Sequence, residues 1–229
     1  MKKLMSLFAF LVVCTGHATY AAETGTESNT RTTDYLSWYA GGGLNIDFPN
    51  STNVKGASTG SIGYKNSFTL LDLFIGYRPE ILYNSIGDVR FEAEFLGHGY
   101  GVDTRKGENA STGKKGYLMT NVLMTNVYYD LHTSTSFTPF VGAGLGIEKA
   151  EFSKDPGYGI TDKTGNGVSL AYQFKAGVSY MPACWTHTSF TLAYDYFNAG
   201  SPEFNAGSGK EKLSNVSSNG LEFSVAYAF

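Results

Sequence analysis

The chain has 229 residues, among them 28 Gly, 16 Tyr and 16 Phe, with only 16% charged residues and a formal net charge of -3. No basic face stands out, which excludes nucleic acid as a partner. A mean hydropathy of -0.16 argues against a helical membrane protein, since past the N-terminus no run nears the ~18 apolar residues of a spanning helix.

Residues 1–22 read as a secretory signal peptide. Met1-Lys2-Lys3 supplies the positive start, Leu4 to Val13 is apolar apart from Ser6, and the small residues Ala18, Ala21 and Ala22 follow. Cleavage is expected after Ala21 or Ala22. Leu11-Val12-Val13-Cys14 faintly resembles a lipobox, but Val13 is too bulky before a lipidated cysteine and the apolar stretch is short. Removal of the signal leaves Cys184 as the single cysteine, so no intramolecular disulfide is expected in an oxidising compartment. Residues 23–34 form a polar tail, expected on the periplasmic side, and residues 35–229 the folded domain.

That domain divides into eight segments of alternating character, as expected where one strand face meets lipid and the other a lumen. In the first, Trp38, Ala40, Gly42, Leu44 and Ile46 oppose Tyr39, Gly41, Gly43 and Asn45. The second sets Leu71, Leu73, Ile75 and Tyr77 against Asp72, Phe74, Gly76 and Arg78. In the third, Val89, Phe91, Ala93 and Phe95 alternate with Arg90, Glu92 and Glu94. The fourth, Tyr117 to Leu131, is ambiguous, because Thr120, Asn121, Thr125 and Asn126 interrupt both faces. The fifth opposes Val141, Ala143, Leu145 and Ile147 to Gly142, Gly144, Gly146 and Glu148. The sixth opposes Leu170, Tyr172, Phe174 and Ala176 to Ser169, Ala171, Gln173 and Lys175. The seventh pairs Phe190, Leu192, Tyr194 and Tyr196 with Thr191, Ala193 and Asp195. The eighth places Leu221, Phe223, Val225, Tyr227 and Phe229 outward and Glu222, Ser224, Ala226 and Ala228 inward.

Connections support the same reading. Short ones follow the second, fourth and sixth segments, at 79–87, 132–136 and 182–188. Long polar ones follow the others, at about 47–66, 99–116, 151–167 and 199–219. Short turns on one side and long loops on the other predict an all-β, eight-stranded antiparallel transmembrane up-and-down β-barrel. Both termini are then expected in the periplasm and the long loops outside a bacterial outer membrane. A soluble β-sandwich would also alternate. It fits less well, because the inward set is rich in Gly, Ala, Ser and charge, and because Trp38, Tyr77, Tyr128, Tyr129, Tyr180 and Tyr196 cluster toward strand ends, where interfacial girdles are expected.

Two stretches carry a family resemblance. Asn126-Val127-Tyr128-Tyr129-Asp130-Leu131, with Thr138-Pro139-Phe140-Val141-Gly142-Ala143-Gly144-Leu145-Gly146, resembles the fourth and fifth strands of opacity-type and surface-antigen outer-membrane barrels. Ala176 to Tyr180 is similar to their sixth. The alternation Leu221-x-Phe223-x-Val225-x-Tyr227-x-Phe229 is similar to the C-terminal signal read by the barrel assembly machinery. The resemblance implies an integral outer-membrane protein whose loops face outward, often as antigen or adhesin, and it brings no catalytic residues.

The expected lumen carries Asp72, Arg78, Arg90, Glu92, Glu94, Glu148, Lys175, Asp195 and Glu222, with Asp130 near a periplasmic end. An eight-stranded barrel is about wide enough for side chains to fill, so these residues are expected to form a plug of ion pairs. A narrow porin-like channel, biased toward cations by the acidic excess, is the alternative. Of the four histidines, His98 stands at the outer end of the third strand, on one face with Glu92 and Glu94. No nucleophile is identifiable beside it, and H-E-x-x-H and Cys/His metal spacings are missing. An outer-membrane lipid-modifying enzyme is therefore a third reading, and no catalytic, cofactor or metal site is expected. The loops, rich in Gly, Ser, Thr and Asn, are expected to be mobile and able to meet a host-surface ligand. Arg105-Lys106 and Lys114-Lys115 are candidates for contact with lipopolysaccharide in the surrounding outer-membrane lipid. The sequence leaves the oligomeric state open.

Overall fold

In a computed structural model of the protein, the described residues are 38–229 except 57–58, 83, 108–115, 155–167, 186 and 207–208. The expected signal peptide and polar tail lie outside them, as do Lys114-Lys115. Twelve strands are present: β1 (Trp38–Pro49), β2 (Thr52–Gly56), β3 (Gly60–Tyr64), β4 (Ser67–Tyr77), β5 (Gly87–Gly107), β6 (Tyr117–Leu131), β7 (Phe137–Lys154), β8 (Ser169–Tyr180), β9 (Thr188–Asn198), β10 (Glu203–Ala206), β11 (Gly209–Ser214) and β12 (Ser217–Ala228).

Eight of them close a ring in the order β1-β4-β5-β6-β7-β8-β9-β12, all neighbours antiparallel, with β12 returning to β1. The seam is fully zipped, from Tyr39 opposite Ala228 to Pro49 opposite Ser218. Closure removes every sheet edge from the wall, so the backbone donors and acceptors there are met within the protein, as hydrocarbon requires. Outside lies an apolar coat of exposed side chains, among them Leu73, Leu123, Leu145, Leu170, Phe174, Leu192 and Phe223. Paired rings mark the short-turn end: Trp38 with Tyr77 at 4.8 Å, and Phe137 with Tyr180 at 4.8 Å.

The ambiguous fourth segment resolves cleanly. Along β6, even-numbered residues from Leu118 to Asp130 are buried, while Asn121 and Thr125 face outward. Tyr128, expected in a girdle, instead points inward and is 3% exposed.

The long loops differ most from expectation. β5 has 21 residues, β6 has 15 and β7 has 18, whereas a tilted strand crosses the hydrocarbon with ~9–11. These three strands therefore project past the membrane at the long-loop end. On the projecting part of β5, β3 pairs from Gly60 opposite Gly107 to Tyr64 opposite Val102. β2 then pairs with β3, β11 with β2, and β10 with β11. The first and last loops thus form two hairpins locked into one five-stranded platform, β10-β11-β2-β3-β5. Segments that polarity marks as mobile are held because alternate residues face a core. Val54, Ile62, Val102, Phe204 and Leu213 join Leu96, Leu118, Val122, Phe152 and Phe197 of the wall in one buried apolar cluster.

Candidate functional site in the barrel interior

β5 runs from the short-turn end to the platform, so its inward residues order the interior by height: Arg90, Glu92, Glu94, Leu96, His98, Tyr100, Val102. Period-two geometry places them all on one face.

The lowest layer is an ion-pair network. Arg90 Nε lies 3.0 Å from the Asp130 carboxylate, and its Nη1 donates to Glu92 Oε2 at 3.2 Å and to the Tyr39 hydroxyl at 3.1 Å. The guanidinium sits 3.9 Å over the Tyr128 ring, a contact worth about 0.5–2 kcal/mol when desolvated. Tyr39 and Tyr128 each donate to Glu92, at 3.0 and 3.2 Å. Arg78 bridges Asp130 at 3.3 Å and Asp88 at 3.7 Å, and His132 approaches Asp88 at 3.1 Å. Gly142 and Gly76 make room for this layer, because a Cβ at either would strike the ring of Tyr128 or Tyr39. A cavity of about 40 Å³ opens here among Tyr39, Arg90, Glu92, Lys175 and Glu222, enough for a few water molecules.

The middle layer centres on Lys175, whose Nζ lies 2.6 Å from Glu94 and 2.7 Å from Glu222. Asn126 and Gln173 donate to Glu94 Oε2 at 2.7 and 2.6 Å. Asp72 lies beside them with neither oxygen hydrogen-bonded. Above, Asn45 donates to Asp195 at 3.2 Å and Ser169 to Glu148 at 2.9 Å. His98 is fully buried, its Nδ1 3.3 Å from Asp47 and 3.2 Å from Thr69, its ring stacked on Phe197 at 4.7 Å. The apolar cluster then seals the long-loop end.

The nine charged residues expected in the lumen all face the interior, but they do not form one network. Arg78, Arg90 and Glu92 join the lower layer, and Asp72, Glu94, Lys175 and Glu222 meet in the middle. Glu148 and Asp195 stand apart with polar neutral partners. Asp47 and Asp88 were not singled out by sequence, since each sits at a strand end beside turn-rich sequence. His98 does not meet Glu92 and Glu94; strand continuation to Gly107 places it inside rather than at a rim. Leu221, Phe223, Val225, Tyr227 and Phe229 line the exposed face of β12 and the residue after it.

A closed eight-stranded wall with a lipid-facing coat defines an integral bacterial outer-membrane β-barrel protein. More narrowly, the chain belongs to the surface antigen family, whose model matches residues 19–205. It is 28% identical over 133 residues to outer membrane protein PagN of Salmonella typhimurium, a match spanning 54% of this chain and about half (55%) of that relative. Neisserial surface protein A shares the fold at 18% identity and a TM-score of 0.55, over 84% of this chain and 97% of that one. OprG of Pseudomonas aeruginosa shares it at 14% identity and 0.52, with the same coverages.

Proposed function

We propose that this protein is a non-enzymatic surface protein whose filled barrel anchors an adhesin-like platform of loops, the long-loop end outside the cell and both barrel termini in the periplasm. The observation that carries the reading is the platform itself. Two loop hairpins are joined strand to strand and nailed to the barrel by Val54, Ile62, Phe204 and Leu213. A pre-ordered surface meets a ligand without the entropic cost of ordering its loops. On its outer face Lys55 stands directly opposite Lys212, both exposed. Like charges across a strand pair are unfavourable, although Glu203 lies 3.9 Å from Lys212 and from Lys210. This basic stripe suits an anionic surface, either lipopolysaccharide or a host-cell ligand.

Channel and enzyme readings are less well supported. The lumen is occupied by side chains at every level, and the apolar cluster spans its outer half. At His98, Asp47 and Thr69 both approach Nδ1, whereas base-and-nucleophile catalysis needs the nucleophile on the other ring nitrogen. Nε2 has no hydrogen-bond partner, and the ring is enclosed.

The test is display of the full-length protein on a non-adherent Gram-negative strain and counting of cells bound to cultured epithelium. Binding several-fold above empty vector is expected, reduced at least threefold by K55E/K212E at equal surface levels. Binding no better than vector, or release of fatty acid from lipopolysaccharide by the purified protein, would overturn the reading.

A further inference from the structure

The buried interior is short of positive charge, and in its middle layer three carboxylates stand together. One oxygen each of Asp72, Glu94 and Glu222 lies within 4.8 Å of the others, all three residues being buried. Lys175 serves Glu94 and Glu222, and Glu94 also accepts from Asn126 and Gln173. Asp72 receives nothing. It is 2% exposed, both its oxygens lack a partner, and it points at the cluster. The neighbouring Gln173 is 1% exposed, and its Oε1 is likewise bare. Elsewhere in the interior the unpartnered atoms include further acceptors, on Asp47, Glu148 and Asp195. What the middle layer lacks is therefore a cation or a donor, not an acceptor.

Charge and geometry agree on what would satisfy it. Three carboxylates against one ammonium leave a formal charge of -2, which one divalent ion cancels. Leaving such charge buried and uncompensated is strongly unfavourable. The donors are all oxygens, the ligand type of hard cations, and calcium accepts irregular oxygen shells at about 2.3–2.6 Å. Two oxygens bound to one such ion stand at most about 5 Å apart, and the three carboxylates fall inside that limit. Gly43 makes room for the Asp72 carboxylate, which a Cβ there would strike. Of the cluster and its lysine, Glu222 and Lys175 also line the cavity at the short-turn end.

We propose that Asp72, Glu94 and Glu222 form an interior divalent-cation site, filled by calcium and coupled to the stability of the barrel. The test uses the full mature chain refolded into detergent micelles free of lipopolysaccharide. Calcium titration calorimetry, with magnesium and sodium for comparison, should show one saturable calcium per chain. The unfolding temperature should rise on replacing EDTA with calcium. Asp72→Asn should weaken calcium at least tenfold and abolish the thermal shift, while Asp103→Asn, at an exposed carboxylate on the projecting part of β5, should change neither. If Asp72→Asn does not refold, Glu222→Gln takes its place, with the same outcome expected. Absence of saturable binding by the wild type, or a thermal shift that survives both substitutions, would overturn the site. So would an Asp72→Asn protein more stable than a calcium-indifferent wild type, because a shared proton would then satisfy the cluster.

Discussion

At the scale of single residues, the interior works by enclosing charge with its counter-charge. Arg90 meets Asp130, Glu92, Tyr39 and Tyr128 at once. Removing one partner of such a set strands the others, at about 3–5 kcal/mol. Arg90→Gln should therefore lower the urea midpoint of unfolding in micelles substantially. The double variant Arg90→Gln/Glu92→Gln should recover part of that loss, with a coupling of about 0.5–3 kcal/mol across the cycle. Strict additivity would mean that the two side chains do not act as a pair. Sequence reading placed these residues on the inward face because alternation alone decides the face. It could not say which charges meet, since Glu222 on β12 joins Asp72 and Glu94 of the β4–β5 pair from the far end of the chain. Distance between strands around a barrel depends on stagger and tilt, and neither is written in any local pattern.

At the scale of elements, the wall strands were legible and the platform strands were not. Except in β6, where Asn121 and Thr125 interrupt it, each wall strand offers lipid a row of largely apolar or small side chains, and such a row declares itself over nine or more residues. β2 and β10 have five and four residues, too few to show a period, and their buried residues Val54 and Phe204 look isolated within polar sequence. They are ordered by partners instead, with Phe204 meeting Phe152 at 4.8 Å and Leu213 facing Val54 across the ladder. Phe204→Ala and Leu213→Ala, each worth about 2–5 kcal/mol in a packed core, should free the hairpins without opening the wall. Limited proteolysis of the intact protein in micelles should then cut the loops many-fold faster. The faster migration of unboiled protein on a gel should persist. Equal protease resistance in both variants and wild type would mean that the hairpins owe nothing to this cluster.

At the scale of the whole molecule, three different environments are stacked along one axis: an ion-pair layer near the short turns, a carboxylate-rich middle, and an apolar core beneath the platform. The outer layer resembles the core of a soluble domain. The expectation of an interior rich in small residues and charge thus holds only for the lower part, because inward Leu96, Leu118, Val122 and Phe152 fall on strands that outrun the membrane. A barrel packed this way is an anchor and a pedestal, with the exposed face of the platform left to meet other surfaces. Single-channel recording in planar bilayers tests that central claim most directly. The account predicts a flat trace from the inserted wild-type protein, at moderate voltage and in molar salt. Discrete conductance steps, cation-selective and altered in Arg90→Gln/Glu92→Gln, would contradict it and make the interior a passage.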